Sequence, residues 1–282
     1  MRIGPYQIHA IETGRFALDG GAMFGVVPKN LWNKTNPADD ENRITLAARC
    51  LLLVHDNGRK VLIDNGFGHK FNEKFSKIYR TDHQHSSLER SLKALGVKPS
   101  DITDAILTHL HFDHAGGSTC KDENGSLSPT FEKATYYVRK EHLEYAHEAT
   151  EKDRASFLSD DFMPLVERGV LEVLETEAFG LPGIEFFIAN GHSPYQQLPI
   201  ISDGKTTLFF CGDLIPTTTH IGIPYVMAYD NEPLRTIQEK KRLLTTAFDE
   251  QWILFFEHDP NTAAAYVRRD ERGFRLGEAV SL

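Results

Sequence analysis

The chain has 282 residues, 40% hydrophobic and 25% charged, with a formal net charge of −9. That is the range of a globular protein able to bury a sizeable core. The acidic balance speaks against a nucleic-acid partner and against attraction to an anionic membrane surface. Cys50, Cys120 and Cys211 are the three cysteines, too sparse for a disulfide framework, and they point to a reducing compartment. No apolar run approaches the ~18 residues of a membrane span, and Met1–Pro5 starts no apolar leader. A cytoplasmic protein without a membrane partner is therefore expected.

In chain order, Tyr6 to Glu12 alternates like a strand. Gly20 to Pro28 reads as a loop of glycine and apolar residues, a composition that suits either a ligand contact or a cover for the core. Leu51–His55 and Lys60–Asp64 flank Asn57-Gly58, which predicts a hairpin with a type I′ turn. Ser86-Ser87-Leu88-Glu89 reads as a capping box with Ser86 as N-cap, opening a helix through Leu88, Leu92 and Leu95 that Gly96 ends. Ala105–Thr108 and Tyr136–Val138 are short strands, and a helix follows from about Lys140. Phe157 to Val166 carries a helical apolar stripe. Ile184–Ala189, Thr207–Cys211 and Trp252–Phe256 are strands. Glu232 to Leu244 is a helix with Asn231 as N-cap, Pro233 in its first turn and Leu234, Ile237 and Leu244 inward. Short strands interleaved with a few helices fit a sheet-rich α/β sandwich better than a regular βαβ repeat. No linker or repeat interrupts 1–282, so a single domain is expected.

The densest chemistry lies at His109-Leu-His111-Phe-Asp113-His114. Histidines and aspartates are costly to bury unpaired. Four within six residues, preceded by Ala105-Ile-Leu107 and followed by Ala115-Gly-Gly117, point to one or two divalent metal ions rather than to a solvated loop. The same theme recurs along the chain. An apolar strand ends in His or Asp, often beside Gly, at Asp64, His192, Asp213 and His258. Strand ends hold ligands rigidly over a cleft. Each of these could instead stabilise a turn or sit satisfied in the core. His83, His85, His142 and His147 are expected on exposed faces.

The H-x-H-x-D-H cluster, together with Asp64, Gly191-His192-Ser193-Pro194, Gly212-Asp213 and His258 in that order, resembles the metallo-β-lactamase superfamily. The resemblance covers almost the whole chain. It implies a four-layer αβ/βα sandwich of α/β (α+β) type, with two mixed sheets face to face and helices outside. It also implies two divalent ions, zinc by default with iron, manganese or cobalt as alternatives. His109, His111 and His192 would hold the first, Asp113, His114 and His258 the second, Asp213 would bridge, and Asp64 would orient a ligand. Within the superfamily the Gly20–Trp32 segment and Phe256-Glu-His-Asp259 look like the quorum-quenching N-acyl-homoserine lactonases. Many of those carry a Tyr three residues after the bridging Asp. Here that position is Pro216, with His220, Tyr225 and Tyr229 as candidate replacements.

The implied reaction is opening of a lactone or similar small ester by a metal-activated hydroxide, with Asp113 as ligand and proton shuttle. Met23, Phe24 and Trp32 are a candidate wall for an acyl chain. Thioester, β-lactam and phosphotriester hydrolysis are alternatives, and a di-iron redox protein is a more distant one. The chain is compatible with a homodimer.

Overall fold

A computed structural model describes all residues, 1–282. The architecture is mixed α/β, and its contacts divide the chain into two units. The first comprises Met1–Arg15 and Ala48–Glu177; the second comprises Phe16–Ala47 and Ala178–Leu282. No helix is long and apolar enough to cross a membrane.

A seven-stranded sheet is ordered β1 (Arg2–Ile3), β2 (Tyr6–Asp19), β3 (Arg43–His55), β4 (Lys60–Ile63), β5 (Asp104–Ile106), β8 (Thr135–Arg139) and β9 (Leu171–Leu174). A separate small ribbon pairs β6 (Thr119–Lys121) with β7 (Leu127–Pro129). From β4 onward the neighbours β4–β5, β5–β8 and β8–β9 are parallel. Parallel strands need covering, and their residues accordingly run apolar without alternation. Leu62, Ala105, Tyr136 and Val138 join Leu88, Leu92, Phe162 and Leu165 in the core of the first unit.

The second unit carries a six-stranded sheet, β10 (Ile184–Ala189), β11 (Gln196–Ser202), β12 (Thr207–Phe210), β13 (Ile253–Phe255), β14 (Ala264–Asp270) and β15 (Gly273–Ala279). All its pairings are antiparallel except β12–β13. Its core gathers Leu198, Phe209, Leu254 and Phe256 with Leu243, Leu244 and Ala247 of the helix Pro233–Asp249.

Local expectations are corrected at five places. The hairpin loop after His55 has three residues. The His55 carbonyl accepts from Gly58, and only Gly58 has positive φ (+91°), the type I turn with a glycine bulge rather than type I′. Ser87, not Ser86, caps the helix Leu88–Ala94, its hydroxyl accepting from Arg90 N–H. The helix Pro233–Asp249 has no side-chain cap, so Asn231 does not act as one. Leu234 is exposed, because the buried face of that helix includes the polar Thr236, Glu239 and Lys240.

The Gly20–Pro28 loop is in part a helical turn, Gly20–Phe24, capped by Asp19 accepting from Ala22 N–H. Met23 and Phe24 of this turn and Trp32 of the following segment are buried, with Phe24 stacked between Trp32 and His220. Gly20 is required there, since a Cβ would stand 2.4 Å from the Trp32 ring. These three side chains are core, and the exposed apolar residues of the segment are Val26 and Leu31.

Candidate metal centre

In the first unit, β4 and β5 deliver their C-terminal ends side by side. Asp64 follows β4 with φ of +54°, a backbone strain typical of functional turns. Its carboxylate is fully buried and saturated. One oxygen accepts from Thr108 N–H at 2.7 Å. The other accepts from the Thr108 hydroxyl at 2.7 Å and from His114 Nδ1–H at 3.0 Å. Because the Thr108 proton is given to Asp64, its oxygen is left to accept from His109 Nδ1–H, 3.1 Å away. One carboxylate thus fixes the tautomer of two histidines, leaving each Nε2 as a lone-pair donor. His109 Nε2 lies 3.0 Å from His111 Nδ1. Asp113 and His114 sit on the short helix Phe112–Ala115, with Asp113 Oδ2 3.9 Å from His114 Nε2.

In the second unit, Gly191-His192 follows β10, Asp213 lies on the turn Gly212–Leu214 after β12, and His258 follows β13. A Cβ on Gly191 would strike the Thr236 amide at 2.4 Å, so the chain can pass the helix Pro233–Asp249 here only as glycine. Glu239 of that helix accepts from both Asn190 and Gly191 N–H. His192 Nδ1 lies 3.1 Å from Asp230 Oδ1. His258 is held by Ala47 at both ends, its Nδ1–H donating to the Ala47 carbonyl at 2.8 Å.

The remaining nitrogens of both rings face one carboxylate. His192 Nε2 is 3.1 Å from Asp213 Oδ2, and His258 Nε2 is 3.1 Å from Asp213 Oδ1. With Nδ1–H committed, a neutral imidazole can present only a lone pair to that carboxylate. Lone pair against lone pair at this distance requires a proton or a cation between them. His192 shows the size of the pull. Burial opposes its charged form, yet Asp213 and then Asp230 outweigh burial and raise its pKa to about 9. Buried imidazole and carboxylate donors of this kind suit a borderline divalent ion such as zinc. The chain therefore carries His/Asp clusters whose donors fit a metal ion.

The proposed substrate-contacting residues fare differently. His220 is buried with both nitrogens engaged, Nε2 2.8 Å from the Met23 carbonyl and Nδ1 2.7 Å from Thr217 Oγ1. Burial lowers its pKa to about 4. It is a neutral strut joining Gly20–Phe24 to the segment after Asp213, with no N–H to offer a substrate, which corrects its assignment. Tyr225 is half-buried with its ring edge-on to Phe24. The buried Lys240 ammonium donates to the Tyr225 and Gly222 carbonyls and so fixes that loop. Tyr229 is half-buried and precedes Asp230, in a segment whose Asn231 N–H donates to the His192 carbonyl.

Two residues escaped the sequence reading. His142 is fully buried, not exposed, and its Nε2 accepts from Leu110 N–H at 2.9 Å, pinning the backbone between His109 and His111. Its i,i+4 partner Ala146, also inward, was the available signal. Asp230, which orients His192, lies 38 residues away and has no local pattern to reveal it.

A metallo-beta-lactamase superfamily model matches residues 45–269. The chain belongs to that superfamily. An N-acyl homoserine lactonase of Bacillus cereus is 28% identical over 269 residues, covering 90% of this chain and 93% of the relative. The crystal structure of a probable metal-dependent hydrolase from Staphylococcus aureus superposes with a TM-score of 0.88 at 29% identity, covering all of both chains. A dizinc quorum-quenching lactonase in complex with its product superposes with a TM-score of 0.81 at 18% identity, covering 100% of this chain and 97% of that one. The metallo-β-lactamase fold and a hydrolase activity of that superfamily follow for this chain.

Proposed function

We propose that this metallo-hydrolase is a dinuclear lactonase that opens N-acyl-homoserine lactones or closely similar esters. The observation that carries it is the Asp213 carboxylate, which turns one oxygen to His192 and the other to His258, the arrangement of a bridging ligand. Following the superfamily's ligand order, His109, His111 and His192 would hold one ion, Asp113, His114 and His258 the other, and Asp213 both. Zinc is the expected ion. Bound there, such ions would supply a water-derived nucleophile at neutral pH and polarise the ester carbonyl.

The chain's own groups do the rest. Asp64 and Asp230 hold His114 and His192 through Nδ1 and so aim each Nε2 for ligation. Asp113, on the first turn of its helix, would carry a proton to the leaving alkoxide. An aromatic wall suits an acyl chain. Phe71, Phe75 and Tyr79 are only half-buried and gather around Phe112, inside the histidine motif itself. The lactonase names of relatives at this identity support the same substrate class.

A hydrolysis screen of the zinc-loaded protein tests the reading, with acyl-homoserine lactones, thioesters, β-lactams and phosphotriesters compared by kcat/KM. Lactones should lead. A preference for any of the other three would overturn the substrate assignment while leaving the hydrolase class intact.

A further inference from the structure

We propose that Tyr79 is a substrate-contacting residue, its phenol donating a hydrogen bond to the substrate oxygen that gains charge beside Asp113; this rests on the hydrolase reading above. Acyl transfer needs a donor aimed where negative charge develops. The backbone places Tyr79 to supply one. It is the last residue of the helix Glu73–Tyr79, none of whose side chains is fully buried, and Arg80 stops that helix in the left-handed conformation at φ +46°. A helix with no fully buried residue contributes little core and is free to serve a ligand surface.

The Tyr79 ring nevertheless has a fixed seat. Its centroid is 4.8 Å from Phe112 and 4.4 Å from Phe75, both in tilted packing. Phe112 is the residue between His111 and Asp113, so the phenol is anchored on the motif that presents the Asp113 carboxylate. A phenol, with an ordinary pKa of about 10, keeps its proton at neutral pH and so remains a donor.

Other phenols of the same unit are committed elsewhere. Tyr136 donates to the Ser118 carbonyl and Tyr145 to Asp153. His220 has both nitrogens engaged. Tyr79 alone combines a half-exposed ring with a seat on the histidine motif.

The experiment compares wild type, Tyr79→Phe and, as a neighbour outside the machinery, Ile78→Ala. All three are loaded with zinc and assayed on N-hexanoyl-homoserine lactone. Removing one oxyanion donor from a partly solvated site should lower kcat about 10- to 100-fold with KM changed by less than about threefold. Zinc content should stay unchanged, and calorimetric affinity for the ring-opened acid should drop about 10- to 100-fold, as for loss of one hydrogen bond to a charged group. Ile78→Ala should match wild type. Tyr79→Phe within twofold of wild type in both kcat and product affinity overturns the role of Tyr79 and leaves the lactonase reading standing. A wild type that cleaves a thioester or phosphotriester but no lactone overturns the lactone reading alone, and Tyr79→Phe is then judged on that substrate by the same twofold limit. A wild type with no hydrolytic activity overturns both.

Discussion

Replacing Asp64 by Asn changes no ligand and almost no volume, yet it should weaken metal binding. The carboxylate accepts three hydrogen bonds, from Thr108 N–H, the Thr108 hydroxyl and His114 Nδ1–H. An amide has only one accepting oxygen. Whichever way it turns, its NH₂ group faces a donor, either the Thr108 amide or the His114 ring. At least one charge-assisted bond is lost, about 1.5–3 kcal/mol in a fully buried site. The His114 imidazole is then free to rotate or to take the other tautomer, and His109 loses the relay through Thr108. A loss of this kind at a residue behind the ligands typically weakens metal binding about 10- to 100-fold, or roughly 1.4–2.7 kcal/mol, which agrees with the bond count. Competition against a fluorescent zinc chelator reads the dissociation constants directly, and circular dichroism checks that the fold survives. Thr108→Val, which keeps the Asp64–His114 contact, should produce a smaller loss. A folded Asp64→Asn protein with wild-type affinity for every ion would refute the claim that Asp64 sets the histidine tautomers.

Burial holds His220 neutral with a pKa near 4, below its unfolded value of 6.5. The unfolded chain therefore takes up a proton that the folded chain refuses, and stability is lost as pH falls from 6.5 towards 4. The loss amounts to about 3 kcal/mol. Urea melts across that range should show the slope in wild type and a reduced one in His220→Phe; parallel profiles would contradict the assignment. Lys240→Met strips a donor from the half-buried Gly222 and Tyr225 carbonyls and should cost about 1–3 kcal/mol in the same melts. A change below about 0.5 kcal/mol would show that the ammonium does not hold the loop. Phe71→Ala with Phe75→Ala should raise KM more for decanoyl than for butanoyl homoserine lactone, by up to about 0.8 kcal/mol for each methylene that loses contact. Equal effects on both chain lengths would remove the aromatic wall as an acyl site.

The fold and the ligand chemistry were legible in the sequence where the signal is local. An apolar run ending in His or Asp identifies a strand and its cargo together, and Ile184–Ala189 before His192 matches β10 residue for residue. Side chains that orient those cargoes left no such trace. Asp230 reaches His192 from far along the chain, and His142 reaches the Leu110 amide from a helix whose polar composition suggested solvent. Polar residues on buried faces also misled the reading of Pro233–Asp249, where Lys240 is buried and Leu234 is not. The composition of the Gly20–Trp32 segment suits a ligand surface as well as a core cover, and sequence alone does not separate the two for Met23, Phe24 and Trp32. Here Gly20 instead allows the Trp32 ring to close over the turn. The aromatic wall of Phe71, Phe75 and Tyr79 has clear helical spacing, but spacing does not tell a core stripe from one left half-open to solvent.

The central claim is a two-ion site bridged by Asp213, and counting ions in the purified protein tests it most directly. Elemental analysis after zinc loading and removal of loose metal should give two ions per wild-type chain. Asp213→Ala should give one or none and lose lactone turnover by orders of magnitude. A single ion in wild type, or two ions and undiminished turnover in Asp213→Ala, would contradict the account.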